Sequence, residues 1–133
     1  MEADIVQRFG ALEAAIMEVV WDAEHPLLVR EVLNQLDREP VPAFTTVQTV
    51  MNILHGKGWL DRGLEGRAYR YWATATREDY IARLMHHALD ETQDRGAALA
   101  RFVDSMDPGE IAELTDRLAG ARIREDEREG GAA

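Results

Sequence analysis

FTTVQTVMNILHGKGWLDRGLEGRAYRYW, residues 44–72, holds the pattern on which the fold turns. Phe44, Val47, Val50, Met51 and Leu54 recur at helical spacing, which predicts a helix with one buried face. The opposite face carries Thr45, Thr46, Gln48, Thr49 and Asn52, all polar and uncharged. No charged residue occurs from Pro42 to Gly56, although 30% of the chain is charged. An ordinary solvated helix uses Lys and Glu for solubility and for pairing along its surface. Threonine, glutamine and asparagine instead supply the donors, acceptors and methyl groups that read base edges in a major groove. A DNA-recognition helix is the expectation.

Gly56-Lys57-Gly58 should stop this helix, since glycine accepts the left-handed geometry of a helix end. Residues 59–64 and 68–73 then alternate as two strands, with Tyr69 and Tyr71 on one face. Gly66 stands where a tight hairpin needs positive φ, and Arg67 lies at or beside the tip. A basic residue on a protruding hairpin is placed to grip a phosphate or to enter a minor groove. Arg67, and after it Lys57, Arg62 and Arg70, are the candidate backbone contacts; Thr45, Thr46, Gln48, Thr49 and Asn52 are the candidates for base or nearby phosphate contacts.

Upstream, residues 10–22 place Leu12, Ile16, Val19 and Val20 on one helical face, and His25-Pro26 ends that unit. Leu27-Leu28 can form a short strand, and Val29, Val32, Leu33 and Leu36 face inward on a second helix. Pro40-Val41-Pro42 cannot continue a helix and so connects it to the third. Two helices joined by a short turn, the second with an uncharged polar face, match a helix-turn-helix.

Downstream, a helix from Arg77 to about Arg95 carries Tyr80, Ile81, Leu84, Met85, Ala88 and Leu89 as its apolar stripe. Gly96 should interrupt it, and the next helix presents Leu99, Phe102, Val103 and Met106. Asp107-Pro108-Gly109-Glu110 has the composition of a helix start, leading to Ile111, Leu114 and Leu118. Stripes this thin make too small a core for an isolated unit. A second copy is the economical partner, with folding back on the head of the same chain as the competing arrangement, so Ile81, Leu84, Met85, Leu89, Leu99, Phe102, Val103, Ile111, Leu114 and Leu118 are expected at a homodimer interface.

The expected fold class is therefore mainly α. A winged helix-turn-helix head of three helices plus a small antiparallel β-wing occupies residues 1–76, and a C-terminal helical dimerisation domain occupies residues 77–124. The charged, Gly-Gly-ended segment 125–133 is expected to be a disordered tail.

The net charge of −10 weighs against DNA, because phosphate neutralisation supplies much of the affinity of duplex-binding domains. The charge is unevenly spread: residues 40–76 sum to +2, leaving −12 for the remainder. Exposed charges are screened beyond about 8–10 Å near physiological salt, so a basic wing can act on an acidic protein. The same acidity motivates the competing reading, a winged-helix protein–protein interaction module without direct DNA binding.

The absence of cysteine excludes disulfides, thiolate metal sites and thiol nucleophiles. His86 and His87 are adjacent, and neighbours on a helix point about 100° apart rather than toward one metal. Ser105 is the sole serine, with no catalytic pattern around it. Neither an enzyme nor a cofactor or metal is expected. With no signal-like start and no apolar run of membrane-spanning length, the expected location is the cytoplasm.

LEAAIMEVVW (12–21), VREVL (29–33), TTVQTVMNIL followed by KGWL (45–60) and GRAYRYWA (66–73) resemble the penicillinase-repressor (BlaI/MecI) family. The resemblance is strong over residues 9–76 and looser in ALARFVDSMDPGEIAELTDRL (98–118). It implies a homodimeric winged-helix repressor on a pseudo-palindromic operator, with Thr46 and Thr49 at recognition-helix positions and Arg67 on the wing. It further implies control of β-lactamase or related antibiotic-resistance genes, relieved when an inducing protease pathway cleaves the repressor. Where well-known members are cut between Asn and Phe, this chain has Arg101-Phe102. The copper-responsive members use C-terminal cysteines, which this chain lacks.

Overall fold

In the computed structural model, which describes residues 8–131, the periodic segments form six helices and three short strands. Their order is α1 (Ala11–Asp22), β1 (Leu27–Leu28), α2 (Val29–Gln35), α3 (Phe44–Gly56), β2 (Leu60–Glu65), β3 (Ala68–Ala73), α4 (Arg77–Leu89), α5 (Arg95–Asp104) and α6 (Pro108–Gly131). The sheet is antiparallel in the order β1-β3-β2, with Leu27 opposite Tyr71 and Leu60 opposite Ala73. Gly58 (φ 87°) carries the chain out of α3, and Gly66 (φ 66°) takes the first place of the two-residue turn between β2 and β3. This is the winged helix-turn-helix head that the sequence predicts.

The head closes around one core. Ile16, Met17 and Val20 from α1 meet Val32 of α2, Val47, Met51 and Leu54 of α3, and Leu27, Leu60 and Tyr71 of the sheet. Beside them sits an aromatic box. Tyr80 of α4 stacks on Phe9 with ring centroids 4.2 Å apart and meets Trp59 edge-on at 5.3 Å. The Tyr80 hydroxyl accepts a 2.8 Å hydrogen bond from the Phe9 backbone N–H, and Trp21 Nε1 donates to the Ala75 carbonyl at 2.9 Å. Arg77 adds ion pairs to Glu18 and Asp22 on α1.

These contacts move the boundary. The compact units divide between Ala88 and Leu89, not after Thr76, because Tyr80 and Leu84 lie one turn apart on the side of α4 that faces the head core. Leu84, expected at a dimer interface, is thus partly covered by its own chain.

The second unit is built differently. Asp94 caps α5 by accepting from the Ala97 N–H at 3.0 Å, so the break falls at residues 90–94 and Gly96 lies inside a helix. Asp107 and Glu110 exchange side-chain to backbone bonds of 2.8 and 3.1 Å at the start of α6, the expected capping box. α6 continues through residues 125–131, where the composition predicts a disordered tail. Arg and Glu are good helix formers, and opposite charges such as Arg122/Asp126 and Glu125/Arg128 fall at supporting spacing. Residues 132 and 133 of that tail, like residues 1–7 of the head, lie outside the described residues. No helix among the described residues is long and apolar enough to cross a membrane.

Candidate nucleic-acid interface

The apolar periodicity of α3 fixes which way its other side faces. Val47, Met51 and Leu54 are fully buried, so Thr45, Thr46, Gln48, Thr49 and Asn52 are turned outward and all five are exposed. The side chains of Thr45, Thr46, Gln48 and Thr49 make no hydrogen bond to another residue among the described residues. Their donors and acceptors are open to an incoming partner. Ile53, also exposed, adds an apolar neighbour that the polar pattern does not single out.

The first turn of α3 contains no acidic residue, so the partial positive charge of its unpaired N–H groups is uncompensated. Arg30, on the first turn of α2, lies with its guanidinium 4.6 Å from the centre of the Phe44 ring at that same end. A helix N-terminus beside a cation suits a phosphate. Arg30 is not among the residues that the sequence singles out, because it lies outside the locally basic 40–76 segment. Its sequence signal is weak: a lone cation opening a helix.

The four predicted cations separate into two kinds. Arg67 is exposed at the turn after Gly66 and has no ion pair or side-chain hydrogen bond among the described residues. The other three are already engaged. Lys57 Nζ donates to Glu13 at 2.9 Å, tying the end of α3 to α1. Burial pushes the Glu13 carboxyl up, but the bonds from Gly10 N–H and Lys57 outweigh it and hold the group below its usual range.

Arg70 donates to Glu65 across the hairpin, to Glu31 of α2 at 2.8 Å and to the Pro26 carbonyl at 3.1 Å. Glu31 also accepts from the Leu28 N–H at 2.8 Å; that bond, then Arg70, keeps its carboxyl below the usual range. One guanidinium thereby links β3, β2 and α2.

Arg62 is held by aromatic rings and by α3. Its guanidinium sits 4.1 Å from the centre of the Tyr69 ring, and its Nη1 donates to Asn52 Oδ1 at 2.8 Å. The Tyr71 hydroxyl donates to the same Asn52 oxygen at 3.1 Å. Tyr69 and Tyr71 share a strand face, as their alternation predicts, and the network joins the wing to α3.

The chemistry of this surface is recognition rather than catalysis. It offers hydrogen-bonding side chains on a convex helix, a hairpin with one unengaged cation, and a second cation at the helix start. No group of three or more His, Cys, Asp or Glu side chains among the described residues is placed to hold a metal ion.

Residues 9–120 match the profile described as penicillinase repressor. The transcriptional regulator BlaI of Mycobacterium tuberculosis is 36% identical over 115 residues, a span covering 84% of this chain and 83% of that protein. The solution structure of the DNA-binding domain of the repressor BlaI is 27% identical, covering 58% of this chain and 93% of that one, with a TM-score of 0.49. A second solution structure, the monomeric form of Bacillus licheniformis BlaI in complex with the blaP half-operator, has the same identity and coverage and a TM-score of 0.47. The expectation of a regulator rather than an enzyme agrees with that profile and with the Mycobacterium tuberculosis regulator. A profile matched over most of the chain, and a relative sharing about a third of its residues, establish that this protein belongs to the penicillinase repressor family.

Proposed function

We propose that the protein represses transcription by binding duplex DNA as a homodimer, laying α3 of each copy in successive major grooves of a pseudo-palindromic operator. The observation that carries this reading is the outward face of α3, whose threonines and Gln48 are exposed, uncharged and unengaged. Thr45, Thr46, Gln48, Thr49 and Asn52 contact bases; Arg67, Arg30 and the N-terminus of α3 contact phosphates. Lys57, Arg62 and Arg70 contribute positive potential while serving internal bonds.

The second copy docks through Ile81, Met85, Leu89, Leu99, Phe102, Val103, Ile111, Leu114 and Leu118, of which Phe102 is 49% and Leu118 61% exposed. Arg101 and Phe102 are both exposed on α5, which makes their bond the position for an inducing protease once that helix unwinds. The genes under such control are those of antibiotic resistance, on the family resemblance.

Titration of the full chain onto labelled duplex from upstream of its own gene, at several salt concentrations, tests the reading. Arg67→Ala weakens all sequences alike and lowers the salt slope by about one for each subunit that grips a phosphate this way. Thr46→Ala or Thr49→Ala erodes the preference for the operator, by about 1–3 kcal/mol for each base edge no longer read. A folded, dimeric sample that binds no duplex at near-physiological salt overturns the proposal in favour of a protein–protein module.

A further inference from the structure

We infer that Asn52 reads DNA as a hydrogen-bond donor only, and that this selects guanine over adenine and cytosine at one operator position. The inference rests on the DNA-binding reading above and adds to it a base preference.

An asparagine amide has one oxygen with two lone pairs and one NH2 group. In this head both lone pairs are taken: Arg62 Nη1 donates to Oδ1 at 2.8 Å and the Tyr71 hydroxyl at 3.1 Å. Arg62 has only donors, so the oxygen, not the nitrogen, must face it. Arg62 also donates to the Tyr71 hydroxyl oxygen at 3.3 Å, which leaves the Tyr71 proton directed at Asn52 and closes the ring of three. Tyr71 is buried and Arg62 is stacked on Tyr69, so neither partner swings away without breaking other interactions. What Asn52, itself exposed, presents outward is Nδ2 with its two hydrogens.

The usual pairing of asparagine with adenine needs the amide to donate to N7 and accept from N6. Here the accepting half is already occupied. Cytosine presents a donor, which faces another donor. Adenine N7 still accepts one N–H of the amide, but its N6 donor opposes the other, whereas guanine N7 and O6 accept both. Arg62 is then a positioning residue: it sets which half of the amide meets the base.

Selection of the full-length protein on randomised duplexes, followed by sequencing, tests this. Asn52→Ala identifies the position, since preference there disappears. At that position the native protein enriches guanine over adenine by about tenfold. Asn52→Asp, nearly isosteric, keeps an oxygen for Arg62 and Tyr71 but turns a second acceptor outward, so the preference moves to cytosine. Arg62→Met combined with Tyr71→Phe releases the oxygen and raises adenine; a melting curve verifies its fold, and the Asp variant decides the matter if it is unfolded. Enrichment of adenine or cytosine by the native protein, or an unchanged preference with Asp, overturns the inference. A clear motif that Asn52→Ala alters nowhere overturns it too, while leaving DNA binding standing. No motif at all removes the DNA reading and this inference together.

Discussion

The head and the C-terminal helices both carry apolar stripes and bury them very differently. Thirteen hydrophobic side chains are buried among the described residues of the first unit, from Ile16 to Tyr80. Among the described residues beyond Ala88 none is buried, and Leu99, Phe102, Ile111, Leu118 and Ile123 are all exposed. Burial of apolar surface is the main favourable term in folding. The head therefore holds its own fold, whereas the apolar stripes of α5 and α6 stay exposed in the single chain.

Three experiments sharpen or break that contrast. The largest effect belongs to the head: Tyr80→Ala empties the aromatic box and lowers stability by about 3–5 kcal/mol, read as a drop in the urea midpoint. A loss near zero would show that α4 is only loosely joined to the head core.

Next comes the proposed dimer face. Phe102→Glu weakens self-association by about thirtyfold or more, and sedimentation at micromolar concentration follows the shift toward monomer. Helical content in α5 and α6 falls with it. A native protein that sediments as a monomer with these helices intact would erase the contrast.

Acid supplies the smallest effect. Asp79 is held below the usual carboxylate range by the Thr76 N–H and hydroxyl, and Glu31 by the Leu28 N–H and Arg70. A depressed carboxyl contributes stability above its unfolded pKa that is lost as pH falls through its folded one, here below about pH 4. The head's melting temperature therefore declines on acidification in that range, and Glu31→Gln makes the decline shallower. An identical pH dependence in the Gln variant would show that the Arg70 link adds nothing to the head.

Much of the head is legible in the chain because local pattern and tertiary burial agree there. The 3.6-residue period of Val47, Met51 and Leu54 names the buried side of α3 and, by exclusion, the outward one. Gly58 and Gly66 mark the two backbone positions of positive φ among the described residues. Asp107-Pro108-Gly109-Glu110 announces the start of α6 with its own capping atoms.

What stays hidden depends on residues far apart in the chain. Lys57 and Arg70 look like surface cations until Glu13 and Glu31 are brought to them by the fold. An apolar stripe tells that a face is covered, not by what. Leu84 thus reads as interface although its own head partly covers it. Asp94 reads as the interior of a helix, because a side chain that caps one helix resembles any acid within another.

The bonds of Arg62 and Arg70 bear on the energetics of association as well as on shape. A loose hairpin would lose conformational entropy when it met a partner, and that loss subtracts from affinity. Here the hairpin is braced beforehand on α2 and α3. On the proposed DNA-binding reading, Arg67 then arrives at a set height above α3, and the wing selects for the groove width of the duplex as well as for its charge.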